Sequence, residues 1–304
     1  MNRIRHWGNR PFGLGLLIGV AVLLLACGRA EPDAGPGAPR YVTTIPPFEM
    51  ILERVVAGRA EVTRLLEPGA SPHTYDPTPS ALRATSGGTA LVYGDEHLDG
   101  WAAELPARRR LALLDLLPPG ARLAFDDPSG TVDPHFWTDP LAVRQLLPAL
   151  ADTLCAFDRA GCPTYRANAD SFATALSALD VRLAAMTAPI RETRVLLAQP
   201  FFRYFLRRYG PPSAGVVEPR PGAAPTARQL HRLVDRARAT GARAVLTQQS
   251  LSDRAARAVA EASGVALVRL DPLGGVEGRR TYEALLLHNA RTLRDALQAP
   301  PPPD

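Results

Sequence analysis

Between Tyr165 and Thr187 the apolar residues Phe172, Leu176, Leu179, Leu183 and Met186 recur at steps of four, three, four and three. That period predicts an amphipathic helix with one buried stripe. The segment holds no Pro or Gly, so nothing in it favours a bend. At 1.5 Å rise per residue it extends about 33 Å, enough to lie across two domains. On either side the pattern changes to short apolar runs alternating with helical stretches. Before it, strands are predicted at Tyr41–Ile45, Glu61–Leu66 and Ala90–Tyr93, with helices at Phe48–Val56, at Ser80–Ser86 and near Trp101. After it, strands are predicted at Arg194–Ala198, Val216–Val217, Ala244–Thr247 and Ala266–Leu270, with helices at Phe201–Tyr209, Ala227–Thr240 and Asp253–Ser263. Short strands alternating with helices build parallel βαβ units. The expected fold is therefore α/β with two lobes, each a parallel sheet flanked by helices, joined by one long rigid α-helix. The expected limits are 41–160 for the first lobe, 161–188 for the linking helix and 189–298 for the second lobe.

The ends of the chain read differently. Residues 1–26 have a basic start and an apolar run from Phe12 to Ala26, the layout of an export signal. At about 15 residues the run falls short of the roughly 20 that span a bilayer. Leu24-Leu25-Ala26-Cys27 resembles a bacterial lipobox, which implies cleavage before Cys27 and a lipid on its thiol. Residues 27–40 are rich in Gly, Pro and Ala and read as a flexible tether. Residues 299–304, with four prolines, read as a disordered tail. Three of the 35 basic residues, Arg3, Arg5 and Arg10, belong to the signal, leaving 32 against 30 acidic residues. That balance, with no basic stripe carrying interleaved aromatics, argues against nucleic acid as a partner. Export permits disulfides, and Cys155 and Cys162 are the remaining thiols. On one straight helix their Cα atoms would stand about 10 Å apart, too far to bridge. Gly161 and Pro163 should break the helix there, so a Cys155–Cys162 disulfide is expected, with two free buried thiols as the alternative.

Of six histidines, His6 lies in the signal, His231 and His288 in predicted helices, and His97 on a polar loop as a possible auxiliary ligand. His73 and His135 stand apart. His73 lies in the loop Glu67–Pro79 at the predicted carboxyl end of a strand, where ligand sites of open α/β sheets gather. His135 lies between Asp133-Pro134 and Asp139-Pro140. Neutral imidazole is a common donor to first-row metals, and Asp139 is placed to accept the other ring N–H of His135.

The segments Thr44–Pro47 (TIPP), Leu66–Pro79 (LEPGASPHTYDPTP) and Asp133–Pro140 (DPHFWTDP) resemble the zinc/manganese class of ABC-transporter solute-binding proteins. So do Phe202–Gly210, Pro225–Leu230 and Leu270–Gly274, and the likeness runs in order from about Tyr41 to Gln298. The resemblance implies two lobes on one long helix, and a divalent metal between them held by His73, His135 and Asp271. Gln199 occupies the third ligand position, where the family usually has His or Glu; its carbonyl oxygen is a neutral, weaker donor. Thr247-Gln248-Gln249 departs too, since an acidic residue is common near a similar strand end. Two imidazoles suit Zn2+, and the mixed nitrogen and oxygen set admits Mn2+ as the second choice. The implied partners are a membrane permease with its cytoplasmic ATPase, with the receptor itself a monomer anchored by lipid at the periplasmic or outer face of the cytoplasmic membrane. Two alternatives differ in class. Gln199 keeps open an adhesin or assembly lipoprotein without metal transport. An open His73, His135, Asp271 site would suit a zinc hydrolase, but no HExxH helix or nucleophile elbow accompanies it.

Overall fold

The computed structural model describes residues 37–125, 130–219 and 225–299. The expected signal, the lipidation site Cys27 and most of the tether lie outside the described residues, as does the tail beyond Ala299. The first lobe is built from β1 (Arg40–Thr43), α1 (Pro46–Val56), β2 (Glu61–Arg64), α2 (Pro79–Gly87), β3 (Ala90–Tyr93), α3 (Glu96–Asp99), β4 (Arg110–Ala112) and α4 (Leu113–Leu116). Two long helices follow, α5 (Pro140–Phe157) and α6 (Cys162–Thr187). The second lobe contains β5 (Arg194–Leu197), α7 (Arg203–Tyr209), β6 (Ser213–Val216), α8 (Ala227–Thr240), β7 (Ala242–Gln248), α9 (Arg254–Ser263), β8 (Ala266–Leu270) and α10 (Tyr282–Gln298).

Each lobe holds a four-stranded, all-parallel sheet, in the orders β2-β1-β3-β4 and β6-β5-β7-β8. The two lobes thus repeat one topology. In each, the chain crosses the sheet in opposite directions from its first strand, so a crevice opens at the carboxyl ends of β1 and β3, and of β5 and β7. Local sequence fixes the helix starts. Pro46 and Pro47 open α1, where a missing N–H costs nothing. Thr226 and Gln229 form a capping box on α8, which Gly241 ends in the left-handed region at φ 64°. Strand β7 is buried at every position but Arg243, as a strand covered on both faces must be.

The predicted linking helix is α6, and its buried residues are Tyr165, Ala169, Phe172, Leu176, Leu179, Leu183 and Thr187. Met186 is only half-buried, because a 3.6-residue period moves the stripe on to Thr187. This face packs against α5, against α1 of the first lobe and against α10 of the second. One hydrophobic core results, running from Tyr41 and Phe48 through Phe172 and Leu176 to Leu286 and Leu293. Cys155 lies in the last turn of α5 and Cys162 opens α6, with a short turn between them. Their Cα atoms are 4.5 Å apart and the two are joined by a disulfide. Among the described residues no helix is long and apolar enough to cross a membrane.

Candidate metal centre

The loop after β2 carries His73 on a single 3-10 turn, Pro72–Thr74, which Trp101 holds by donating from Nε1 to the Pro72 carbonyl at 2.8 Å. His135 sits at the cap of a second 3-10 turn, Phe136–Thr138, ahead of α5. The two imidazoles face each other with ring centroids 5.7 Å apart. Burial is the main cause that pushes the His73 imidazole down to about 4, with the neighbouring His135 adding to it and the His97 carbonyl opposing it. His73 is therefore neutral at ordinary pH, the form that donates to a metal.

His135 is fixed by Asp133, not by Asp139. Asp133 is fully buried, and its Oδ1 accepts from the His135 backbone N–H at 3.0 Å and from Nδ1 at 2.7 Å. A carboxylate only accepts, so Nδ1 carries a proton, and in the neutral ring Nε2 is the nitrogen left to donate to a metal. Asp133 Oδ2 lies 3.5 Å from Arg203 Nη1 of the second lobe, and its carbonyl accepts from the Tyr204 hydroxyl at 3.1 Å. The expected partner, Asp139, has another task. It caps α5 by accepting from Leu141 N at 2.8 Å and pairs with Arg208 Nε at 2.7 Å. Asp-Pro is a helix-start signature, which turns that carboxylate away from the ring. The local signal for Asp133 was its place two residues before His135, from which an aspartate reaches a backbone N–H. Replacing Asp133 by Asn should weaken metal binding by about 10- to 100-fold; an unchanged affinity in a competition titration would show that the carboxylate does not tune the ring.

The second lobe presents the carboxyl ends of β5, β7 and β8 to these histidines. A narrow cavity of about 10 Å³ separates His73 and His135 from Gln248, Ser250, Pro272 and Leu273. Gln248, one of the sequence departures, thus stands opposite the imidazoles. Gln199 follows β5 and is 3% exposed. Its Nε2 donates to Glu218 Oε2 at 3.2 Å, whereas its Oε1 is buried with no hydrogen-bond partner. Because a carboxylate cannot donate, the amide nitrogen must face Glu218, which leaves the carbonyl oxygen as the orphan. A buried oxygen without a partner is costly unless a cation or donor meets it.

Asp271 follows β8 and its backbone is clamped by the buried Asn289, which accepts from Asp271 N at 2.8 Å and donates to Asp271 O at 2.6 Å. Its Oδ1 accepts from Leu273 N and Gly274 N at 3.0 and 2.8 Å. Arg279 Nε lies 2.7 Å from Oδ2 but its N–H is not aimed along a hydrogen bond, so the contact is an ion pair only. The structure therefore brings His73 and His135 together and leaves Asp271 neutralised by Arg279. Among the described residues no three His, Cys, Asp or Glu side chains gather around one point. His97 is half exposed beside Glu96 and touches the site through its carbonyl. Asn289, Arg279 and Glu218 are neighbours that only the folded chain reveals.

Two buried groups make the metal-free chain respond to acid in opposite senses. Asp99 is held by Thr44 Oγ1 at 2.5 Å, Gly94 N at 2.9 Å and Asp95 N at 3.1 Å, and burial pushes it up to about 7. Folding favours its protonated form, so acidification below neutral pH adds stability there. His73 does the reverse. Its folded value of about 4 lies below the ordinary 6.5, so its contribution is full above 6.5 and is lost as pH falls towards 4. Between pH 7 and 4 the His73→Gln variant should lose less stability than the parent chain, by on the order of 3 kcal/mol. Parallel urea titrations would show it, and equal losses would refute it.

Residues 42–296 match the family profile described as ZnuA, zinc-uptake complex component A, periplasmic. The chain is 25% identical over 289 residues to the manganese-binding lipoprotein MntA of Halalkalibacterium halodurans, covering 91% of this chain and 96% of that one. It is 28% identical over 319 residues to the high-affinity zinc uptake system protein ZnuA of Paracoccus denitrificans, covering 91% and 98%. The fold is that of the periplasmic zinc-binding protein TroA from Treponema pallidum, with TM-score 0.75 and 23% identity over 86% of this chain and 100% of that one. A crystal structure of ZnuA matches at TM-score 0.75 and 25% identity, over the same shares.

Proposed function

The chain belongs to the ZnuA family of periplasmic zinc-uptake components, and from that premise we propose that His73, His135, Gln199 and Asp271 capture one divalent transition metal for an ABC importer. The family is one of extracytoplasmic metal-binding transport receptors, and its relatives include zinc and manganese binders. Zinc is the first cargo and manganese the second, because two imidazoles favour zinc while oxygen donors admit manganese. The observation that carries this reading is the pair of imidazoles at 5.7 Å, one neutral by burial and one with its tautomer set by Asp133. The orphaned Gln199 Oε1 supports the same reading from the second lobe. For Asp271 to coordinate, Arg279 must give up its ion pair to the incoming cation.

In this reading the receptor is held by lipid on Cys27 in the periplasm or at the outer face of the cytoplasmic membrane, acts as a monomer, and passes its cargo to a permease driven by a cytoplasmic ATPase. Family membership favours uptake over the adhesin or assembly alternative. Metal-stripped protein titrated with Zn2+ and Mn2+ against a chromogenic chelator should bind one ion per chain, zinc the more tightly; no binding of either would overturn the proposal. Gln199→His should tighten zinc by about 10-fold, since an imidazole replaces a neutral amide oxygen.

A further inference from the structure

The proposed ligand set is poor in charge. Two neutral imidazoles and an amide contribute none, and the single negative charge of Asp271 is already countered by Arg279. A divalent ion taken out of water needs more compensation than that. The nearest unused carboxylate is Glu218. It follows β6, the neighbour of β5 in the sheet, and its backbone N–H donates to the Ala198 carbonyl at 2.8 Å. It therefore stands beside Gln199 by strand pairing, and Gln199 Nε2 holds its Oε2 at 3.2 Å. Glu218 also lines the same cavity of about 760 Å³ as His73, between the loop after β2 and the start of α9. Among the described residues no ion pair joins its carboxylate to a cation, unlike that of Asp271.

We propose that Glu218 is a metal ligand, supplying the carboxylate that position 199 lacks and held towards the cleft by the Gln199 amide. The departure at 199 is then compensated on the adjacent strand. Gln199 serves twice, its nitrogen positioning Glu218 and its orphaned oxygen facing the ion. This assignment rests on the receptor reading given above.

Glu218→Gln separates ligation from mere positioning. The new amide oxygen still accepts from Gln199 Nε2, but the charge is gone. If Glu218 only props Gln199, affinity is retained. If it ligates, binding of Zn2+ to the full metal-stripped chain weakens beyond the roughly 100-fold that loss of an outer partner costs, and Mn2+, which depends more on carboxylate oxygen, loses more. Adding Gln199→Glu to this variant returns a carboxylate and restores binding. The metal-free unfolding midpoint should match the parent chain, and Glu218→Asp, with the charge kept on a shorter arm, should lie between. Parent-like affinity of Glu218→Gln for both ions overturns the assignment while leaving the receptor reading intact. Failure of the parent chain to bind either ion removes both.

Discussion

Alanine at His135 is expected to abolish one-to-one metal binding, a loss well beyond the roughly 100-fold that removal of an outer partner costs. The ring is 6% exposed, is held by Asp133 at 2.7 Å and packs on Trp137 with centroids 5.3 Å apart. Truncation also takes the Nδ1 donor from the fully buried Asp133, which keeps the backbone N–H of residue 135 and Arg203, and loss of one hydrogen bond to a charged group costs about 1.5–3 kcal/mol. His135→Ala is therefore expected to be less stable as well as metal-free. His73→Ala separates the two effects, because no buried carboxylate depends on that ring. It should lose binding while keeping the metal-free melting temperature near that of the parent chain. Metal content after dialysis, with calorimetry alongside, reads both; one ion retained per chain in either variant would remove that residue from the site.

Phe172→Ala should strongly destabilise the fold. Its ring is fully buried in α6, meets Tyr282 of the second lobe edge-on at 6.1 Å and lies 4.8 Å beneath the Arg54 guanidinium of the first. Deleting a buried phenyl costs about 3–5 kcal/mol, against a total stability of roughly 5–15 kcal/mol for a folded domain. Because α6 is packed into one core with both lobes, the loss should lower a single cooperative transition by about 10 °C. Two separate transitions, with only one displaced, would contradict a common core.

Features with a local cause were legible before any coordinates. The α6 stripe is set by a period, the strands by short apolar runs, and His73 and His135 by proline-braced loops. Strand β4 escaped because three residues beginning at Arg110 give no pattern to read. Helix α5 escaped because Pro148, a breaker by propensity, sits inside it. The site was half legible for a related reason. Asp133 lies two residues before His135 and Asp139 four after it, and the cap of α5 and the reach of Arg208 draw Asp139 away. The pairing of Asp271 with Arg279, its clamp by Asn289 and the bond between Gln199 and Glu218 join residues 8 to 19 positions apart across loops and strands. Tertiary placement of that kind leaves no periodic trace.

Trp137 donates from its indole to the Pro272 carbonyl at 2.8 Å, and the Tyr282 hydroxyl donates to the Trp137 carbonyl at 2.5 Å. Trp137 is two residues beyond His135, and Pro272 is one beyond Asp271. The fastening between the lobes is thus built into the same short segments that carry His135 and Asp271, and it braces these proposed donors against each other. An ion held at the proposed site would meet a spacing already braced by those two bonds.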